Sequence, residues 1–321
     1  MEYSETKQHK TPLGGNPAGN SPAEPVGAFP LEYCDKNEVQ LDYTMRPYHS
    51  GDASATPWLR NVNLLYLFLD NSHEKERWRR LINGIRGELG ENRTVWGIKM
   101  DGKKVSMELY FYFRSLSASS TPPDRPGDIP PQITWPDIKQ ALSKSFCIIP
   151  DYPVPAPAVM VSVDVDDTVL GRGEIDMLHI YTGSGLSYDV TLKSIEHVNT
   201  YHFFELAEQP RLEEMVRHLT NGMMHSAVCG VDIQHVLLPQ LYSCRTICLA
   251  AKRFTDGIYF SGIKLNQLAW FLKQYDWPGP VCDFVLENGP GLSHLRWDVG
   301  LDFTGNNGRI QWKKRGIYGT L

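Results

Sequence analysis

The chain has 321 residues, 41% hydrophobic and 21% charged, with a formal net charge of −5. That length suits one large domain or two small ones, and the acidic balance argues against general nucleic-acid binding, which wants a basic face. No apolar run reaches the ~18 residues of a membrane-spanning helix, and no basic start with an apolar core marks a secretory signal. The six cysteines include no CxxC pair, which fits free thiols in a reducing cytoplasm.

In chain order, residues 1–33 are rich in Gly, Pro, Ser and Asn and read as a flexible leader, with 34–321 as a single domain. A Ser/Pro-rich loop runs from Ser115 to about Pro131. The rest repeats one theme, two extended runs and then a helix. The pairs are Val39–Arg46 with Asn61–Leu69, Thr94–Met100 with Lys103–Arg114, and Val159–Asp166 with Ile175–Tyr181. Thr246–Phe254 with Ile258–Leu265, and Leu295–Phe303 with Arg309–Tyr318, complete the set. Three pairs join at Asp101-Gly102, Asp256-Gly257 and Gly305–Gly308, residues that accept the positive φ of tight turns. Helical spacing follows in Ser72–Leu89, Thr134–Phe146, Arg211–Met224, Asn266–Gln274 and Pro280–Glu287, and Thr134-Trp-Pro-Asp137 opens its helix as a capping box does.

Five antiparallel pairs predict an α+β fold: a ten-stranded antiparallel β-barrel with a polar lumen, surrounded by α-helices. Closure removes the two edges that an open sheet would expose. In the second pair Trp96, Ile98, Met100, Met107, Leu109 and Phe111 share one face, while Lys99, Ser106, Glu108, Tyr110 and Tyr112 share the other. Helices outside would cover the apolar face and turn the polar one inward, around a space wide enough for a ligand.

Trp96-Gly-Ile-Lys-Met100 and Ser261-Gly-Ile-Lys-Leu265 are near copies that place Gly and Lys on one face. Glycine beside a long cation leaves room for an anion. Lys99, Lys264 and Arg296, with Arg253 or its neighbour Lys252, are candidate anion contacts, and Tyr110 adds a directional hydrogen bond suited to a diphosphate. Tyr110 and Tyr112 also present π faces to a cation. Glu108, Asp164, His179, Tyr181 and Trp312 complete the expected pocket, and Asp42 is the candidate general base.

One stretch points elsewhere. Val161–Leu170 reads as a strand running into Asp164-x-Asp166-x-Thr168, which resembles the first motif of haloacid-dehalogenase-type phosphatases. That Mg²⁺-dependent reading needs a parallel sheet and a later acidic pair, and no Asp-Asp follows Asp167. A third reading is a non-catalytic barrel that binds a ligand.

As a whole the chain resembles the αββα-barrel (ABBA) prenyltransferases, nearest to the cyanobactin peptide prenyltransferases. The resemblance rests on Ile258–Leu265, Leu295–Asp302, Arg309–Arg315, Val39–Tyr43, Leu64–Asp70 and the Trp78 helix. It implies transfer of an isoprenyl group from dimethylallyl or geranyl diphosphate to a peptide, amino-acid side chain or aromatic metabolite. Mg²⁺ would accompany the diphosphate, in a cytoplasmic monomer or homodimer. It assigns Asp42 to orient or deprotonate the acceptor and Lys264 to contact the diphosphate. The family's fourth-strand cations are replaced here by Ser106, Glu108, Tyr110 and Tyr112.

Overall fold

The computed structural model describes residues 29–48, 57–102, 104–113, 132–155, 158–182, 184–189, 193–206, 209–220, 233–306 and 308–321. The leader up to residue 28 and the loop of 115–131 lie outside the described residues. Four short strands come first: β1 (Tyr33–Cys34) pairs with β4 (Trp58–Leu59), and β2 (Gln40–Leu41) with β3 (Pro47–Tyr48). Helices α1 (Val62–Leu69) and α2 (Lys75–Leu89) precede β5 (Thr94–Asp101), β6 (Lys104–Tyr112), α3 (Trp135–Leu142), β7 (Met160–Val165) and α4 (Asp167–Arg172). Then follow β8 (Met177–Tyr181), β9 (Ser184–Asp189), β10 (Ser194–Glu205), α5 (Gln209–Thr220), α6 (Ile233–Leu237), β11 (Thr246–Lys252) and β12 (Asp256–Ile263). The chain ends through α7 (Leu265–Gln274), α8 (Gly279–Glu287), α9 (Gly289–Leu292), β13 (Trp297–Asn306) and β14 (Arg309–Thr320).

Strands β5 to β14 form one sheet that curls until it closes, in the order β10–β11–β12–β13–β14–β5–β6–β7–β8–β9. Every ladder within it is antiparallel. The phosphatase reading falls here, because its fold requires a parallel sheet.

The expected first pair is not in the barrel. Asn61–Leu69 supplies α1, with Val62, Asn63, Leu64, Leu65, Tyr66 and Leu69 buried. A short apolar run does not distinguish a buried strand from a buried helix. The barrel instead takes β9 and β10. Their alternation is weak, since Ile195 and Phe203 on β10 are exposed.

Outward-facing Trp96, Ile98, Leu109, Val163, Leu249, Phe260 and Val299 share one core with Leu65, Leu81, Ile85, Ile138, Leu142, Leu268 and Phe271 of α1, α2, α3 and α7. Burial of these faces is the main force holding helices to barrel, at about 25 cal/mol per Å² of apolar surface. The Thr134 hydroxyl and the Asp137 carboxylate cap α3 reciprocally.

A second apolar cluster sits inside the barrel: Leu41 and Met45 with Val95, Tyr110, Tyr112, Met160, Tyr181 and Tyr318. Leu41 and Met45 belong to the β2–β3 hairpin, so that hairpin plugs one end of the lumen. Among the described residues no helix is long and apolar enough to cross a membrane.

Candidate active site

The lumen encloses a cavity of about 280 Å³ whose lining includes Tyr43, Lys99, Glu108, Tyr110, Asp164, His179, Tyr181, Tyr201, Lys252, Tyr259 and Lys314. Tyr43 comes from the plug, and strand alternation places the others: each sits one residue from a partner that packs under the helices. Lys99, Lys252 and Lys314 lie in the strand halves nearest the turns that join β5 to β6, β11 to β12 and β13 to β14. The plug closes the opposite end. The lumen therefore carries three lysines toward one mouth, is walled by tyrosine within, and is stopped below.

Glu108 is the centre of the polar wall. It is 2% exposed and pairs with the Lys99 ammonium. It also accepts hydrogen bonds from the hydroxyls of Ser162, Tyr110 (2.8 Å) and Tyr181 (3.4 Å). Burial opposes its charge, but Lys99, His179 and the Lys99 and Ser162 hydrogen bonds hold its carboxyl down at about 2. Burial also opposes the Lys99 charge, and Glu108 outweighs it, raising Lys99 above an ordinary lysine. Beside this pair, His179 Nε2 lies 2.9 Å from an Asp164 carboxylate oxygen. Burial favours neutral His179, yet the Asp164 hydrogen bond and the Glu108 charge raise its pKa above the usual imidazole value. The tyrosine phenols are pushed well up, first by burial, so Tyr110, Tyr181 and Tyr259 stay protonated donors.

Across the lumen, Lys252 Nζ contacts Asp302 Oδ1 at 2.6 Å and the Tyr259 hydroxyl at 2.7 Å. Glycine explains how such rings fit. A Cβ on Gly300 would stand 2.3 Å from Tyr259 Cδ1, and one on Gly97 would stand 2.7 Å from the Tyr318 ring. The Gly97–Lys99 spacing therefore makes room for a tyrosine, and not for an anion beside the lysine.

Asp42 is not on a barrel strand. It lies in the β2–β3 turn, 2% exposed, where Oδ1 accepts from Thr44 N–H (2.9 Å), the Thr44 hydroxyl (2.6 Å) and Arg46 N–H (3.1 Å). Its other oxygen faces Arg245 Nη1 at 3.2 Å. Those bonds shape the turn and leave Asp42 away from the cavity lining. Its neighbour Asp298 anchors the plug by accepting from Tyr43 N–H (2.9 Å), Gly262 N–H (3.0 Å) and the Ser261 hydroxyl.

Burial and the Asp42 charge push the Asp298 carboxyl up to about 7, against those hydrogen bonds. A carboxyl at ~3.9 in the unfolded chain and higher in the folded one binds its proton more tightly when folded. Its contribution is greatest below about pH 4 and is lost as pH rises toward about 7. Asp42→Asn removes the neighbouring charge and should flatten that fall. Denaturant midpoints across this range measure it, and an unchanged slope would uncouple the two carboxyls.

Four expected residues lie elsewhere. Arg253 sits at an exposed turn between β11 and β12, paired with Glu196 at 2.8 Å, because Asp256-Gly257 is inside the strand and the turn centres on Arg253-Phe254. Lys252 takes the lumen position. Lys264 is exposed at the start of α7, after a β-bulge between Ser261 and Ile263 with Gly262 at φ +80°. Arg296 precedes β13 and donates its backbone N–H to Tyr48 at the plugged end. Trp312 packs edge-on against Tyr275 and Phe303, both with ring centroids at 5.6 Å, outside the lumen. Asp166 caps α4 by accepting from Val169 N–H at 2.9 Å, and does not join Asp164. Tyr43, Tyr201, Tyr259, Lys314 and Tyr318 are the lumen residues the sequence left unremarked. Strand alternation on β12 and β14 was the signal available for Tyr259, Lys314 and Tyr318.

Among the described residues, Glu108, Asp164 and His179 bring metal-ligating atoms within 4.8 Å of one another. Mg²⁺ takes oxygen ligands in near-octahedral array. A set with one imidazole and a carboxylate already held by an ammonium does not suit a protein-held Mg²⁺.

No protein-family model matches the chain, and no curated protein does. Among solved structures, the chain is similar to a crystal structure of NotF prenyltransferase, at 11% identity and a TM-score of 0.38, over 71% of this chain and 80% of that one. A likeness that slight leaves the chemistry to be argued from the lumen's own residues.

Proposed function

We propose that the lumen binds an isoprenyl diphosphate, dimethylallyl or geranyl, and transfers its isoprenyl group to a peptide, an amino-acid side chain or an aromatic metabolite. The observation carrying this reading is the cation-lined mouth over a tyrosine-walled interior. The allylic C–O bond breaks, and its electron pair leaves with the diphosphate. Lys99, Lys252, Lys314 and His179 hold that leaving group. The rings of Tyr110, Tyr181, Tyr201 and Tyr259 line the space the allylic cation would occupy, and aromatic rings attract positive charge without offering a nucleophile as strong as water. The acceptor then bonds to the allylic carbon and loses a proton. Asp164, half-exposed beside His179, takes it in place of Asp42. Mg²⁺ enters this reading only as the diphosphate's counter-ion.

A second reading, a barrel that holds a ligand without chemistry, is favoured by one observation: Lys99 and Lys252 are each already paired with a carboxylate. Incubation with labelled dimethylallyl and geranyl diphosphates plus peptide pools and aromatic acceptors separates the two. Prenyl transfer predicts a labelled product and released diphosphate. Lys252→Met should lower turnover by at least about 10-fold through loss of a charge-assisted contact. Lys264→Ala, outside the lumen, should leave it unchanged. Binding without release for every donor supports the second reading, and no binding at all defeats both.

A further inference from the structure

Tyr43 is the only described residue of the β2–β3 plug, besides Thr44, that lines the cavity. Its ring meets Tyr318, Tyr110 and Tyr112 edge-on, with centroids at 5.0, 5.4 and 6.2 Å. Its backbone N–H is fixed by Asp298, and the turn beneath it by Asp42. The plug is fastened again to the barrel wall by Arg46 to Glu205 of β10 at 2.5 Å. The tyrosine is thus a floor on a rigid mount, and the barrel wall around it continues as apolar Val95 and Met160. With an anion held at the lysine mouth, an apolar tail can only extend toward Tyr43.

We infer that the Tyr43 ring sets the length of apolar tail the lumen accepts, limiting it to a five-carbon isoprenyl group. The cavity of about 280 Å³ lies at the lower bound of pockets that hold a drug-sized ligand. A dimethylallyl tail leaves space for an acceptor side chain, whereas a geranyl tail would fill that space or strike the floor. The identity of the head group rests on the prenyl-transfer reading; the position of the floor does not.

Calorimetric titration tests this with dimethylallyl and geranyl S-thiolodiphosphates, which keep the head group but resist cleavage. The wild-type chain should prefer the shorter analogue. Tyr43→Ala should shift the ratio toward geranyl by about 10-fold or more, since the longer tail then buries several further methylenes. Tyr43→Phe should keep the wild-type ratio, because it keeps the ring. Tyr43→Leu replaces the alanine variant if that one fails to fold, with a smaller shift in the same direction. Binding of both analogues at an unchanged ratio overturns the inference and leaves prenyl transfer standing. If neither analogue binds, prenyl transfer falls, and a series from n-butyl to n-decyl phosphate decides the floor. A length cut-off that lengthens in Tyr43→Ala upholds it; a fixed cut-off, or no binding by any member, overturns it.

Discussion

Lys99→Met is expected to lower the unfolding free energy by about 2–3 kcal/mol near neutral pH. Removing one member of a buried pair leaves the other as an uncompensated charge, which costs about 3–5 kcal/mol in a dry interior and less where a cavity admits water. Here the stranded group is Glu108, 2% exposed, with the Ser162, Tyr110 and Tyr181 hydroxyls still donating to it. Those hydroxyls are the reason the loss is not larger. The variant has an escape route: Glu108 takes up a proton. Its carboxyl, held at about 2 in the parent, then lies above the unfolded value. The parent loses the Glu108 contribution as pH falls through about 4.5 toward about 2. The variant instead regains stability on acidification, because its folded state now binds the proton more tightly. Guanidinium denaturation at mildly acid and mildly alkaline pH reads both effects. The double change Lys99→Met with Glu108→Leu should recover most of the loss. A single variant as stable as its parent would show that the pair contributes nothing.

The second large effect is steric. Gly300→Ala places a methyl 2.3 Å from Tyr259 Cδ1 and 2.6 Å from Cε1, closer than real atoms approach. The Tyr259 ring cannot yield freely, since its hydroxyl joins Lys252 and Asp302 and its other side faces Tyr318, with centroids at 6.2 Å. Overpacking of this kind costs about 1–3 kcal/mol. It should also disturb the Lys252–Tyr259 contact, so ligand affinity should fall along with the denaturation midpoint. Leu301→Ala on the outer face is the contrast: it opens a space in the helix-covered core and should cost about 2–5 kcal/mol while leaving the lumen contacts intact. A Gly300→Ala chain with the parent's affinity would mean the ring has somewhere to go.

Alternation carried most of what the sequence revealed. Lys99, Glu108, Tyr110, Asp164, His179 and Tyr181 stand at positions of one parity on β5, β6, β7 and β8, so reading one face correctly brought all six into one cavity. The turn between β5 and β6 pairs Met100 with Val105, two residues from the expected register. A two-residue slip leaves both faces unchanged. Misplacement came where an odd step intervened. A bulge between Asp302 and Phe303 set Trp312 opposite Phe303 on the outside, whereas Lys264 left the lumen because β12 ends at Ile263 and α7 begins there. Arg253 and Lys252 exchanged roles because the turn centres on Arg253-Phe254 and not on the Asp-Gly pair, an odd shift. Asp42 was unreadable for a different reason: its carboxylate is consumed by local backbone donors, which sequence spacing does not distinguish from a base awaiting substrate. The plug itself has only two residues in each strand, too few for any periodic signal.

The pairing of the lumen lysines has a consequence for how the barrel is assembled. Ladder closure between β14 and β5 joins Ile317 to Ile98, a contact that spans most of the chain and carries a high loop-closure cost. Before it forms, each inward-facing charge stands in water; afterward it is enclosed. Lys99 finds Glu108 within its own hairpin, and Lys252 finds Asp302 two strands away in the other half. Both lysine pairs lie within their own half of the sheet, so closing the β14–β5 ladder last would enclose two dipoles where it would otherwise enclose bare ions. The same feature that makes the lysines reluctant to receive an anion allows the empty barrel to shut.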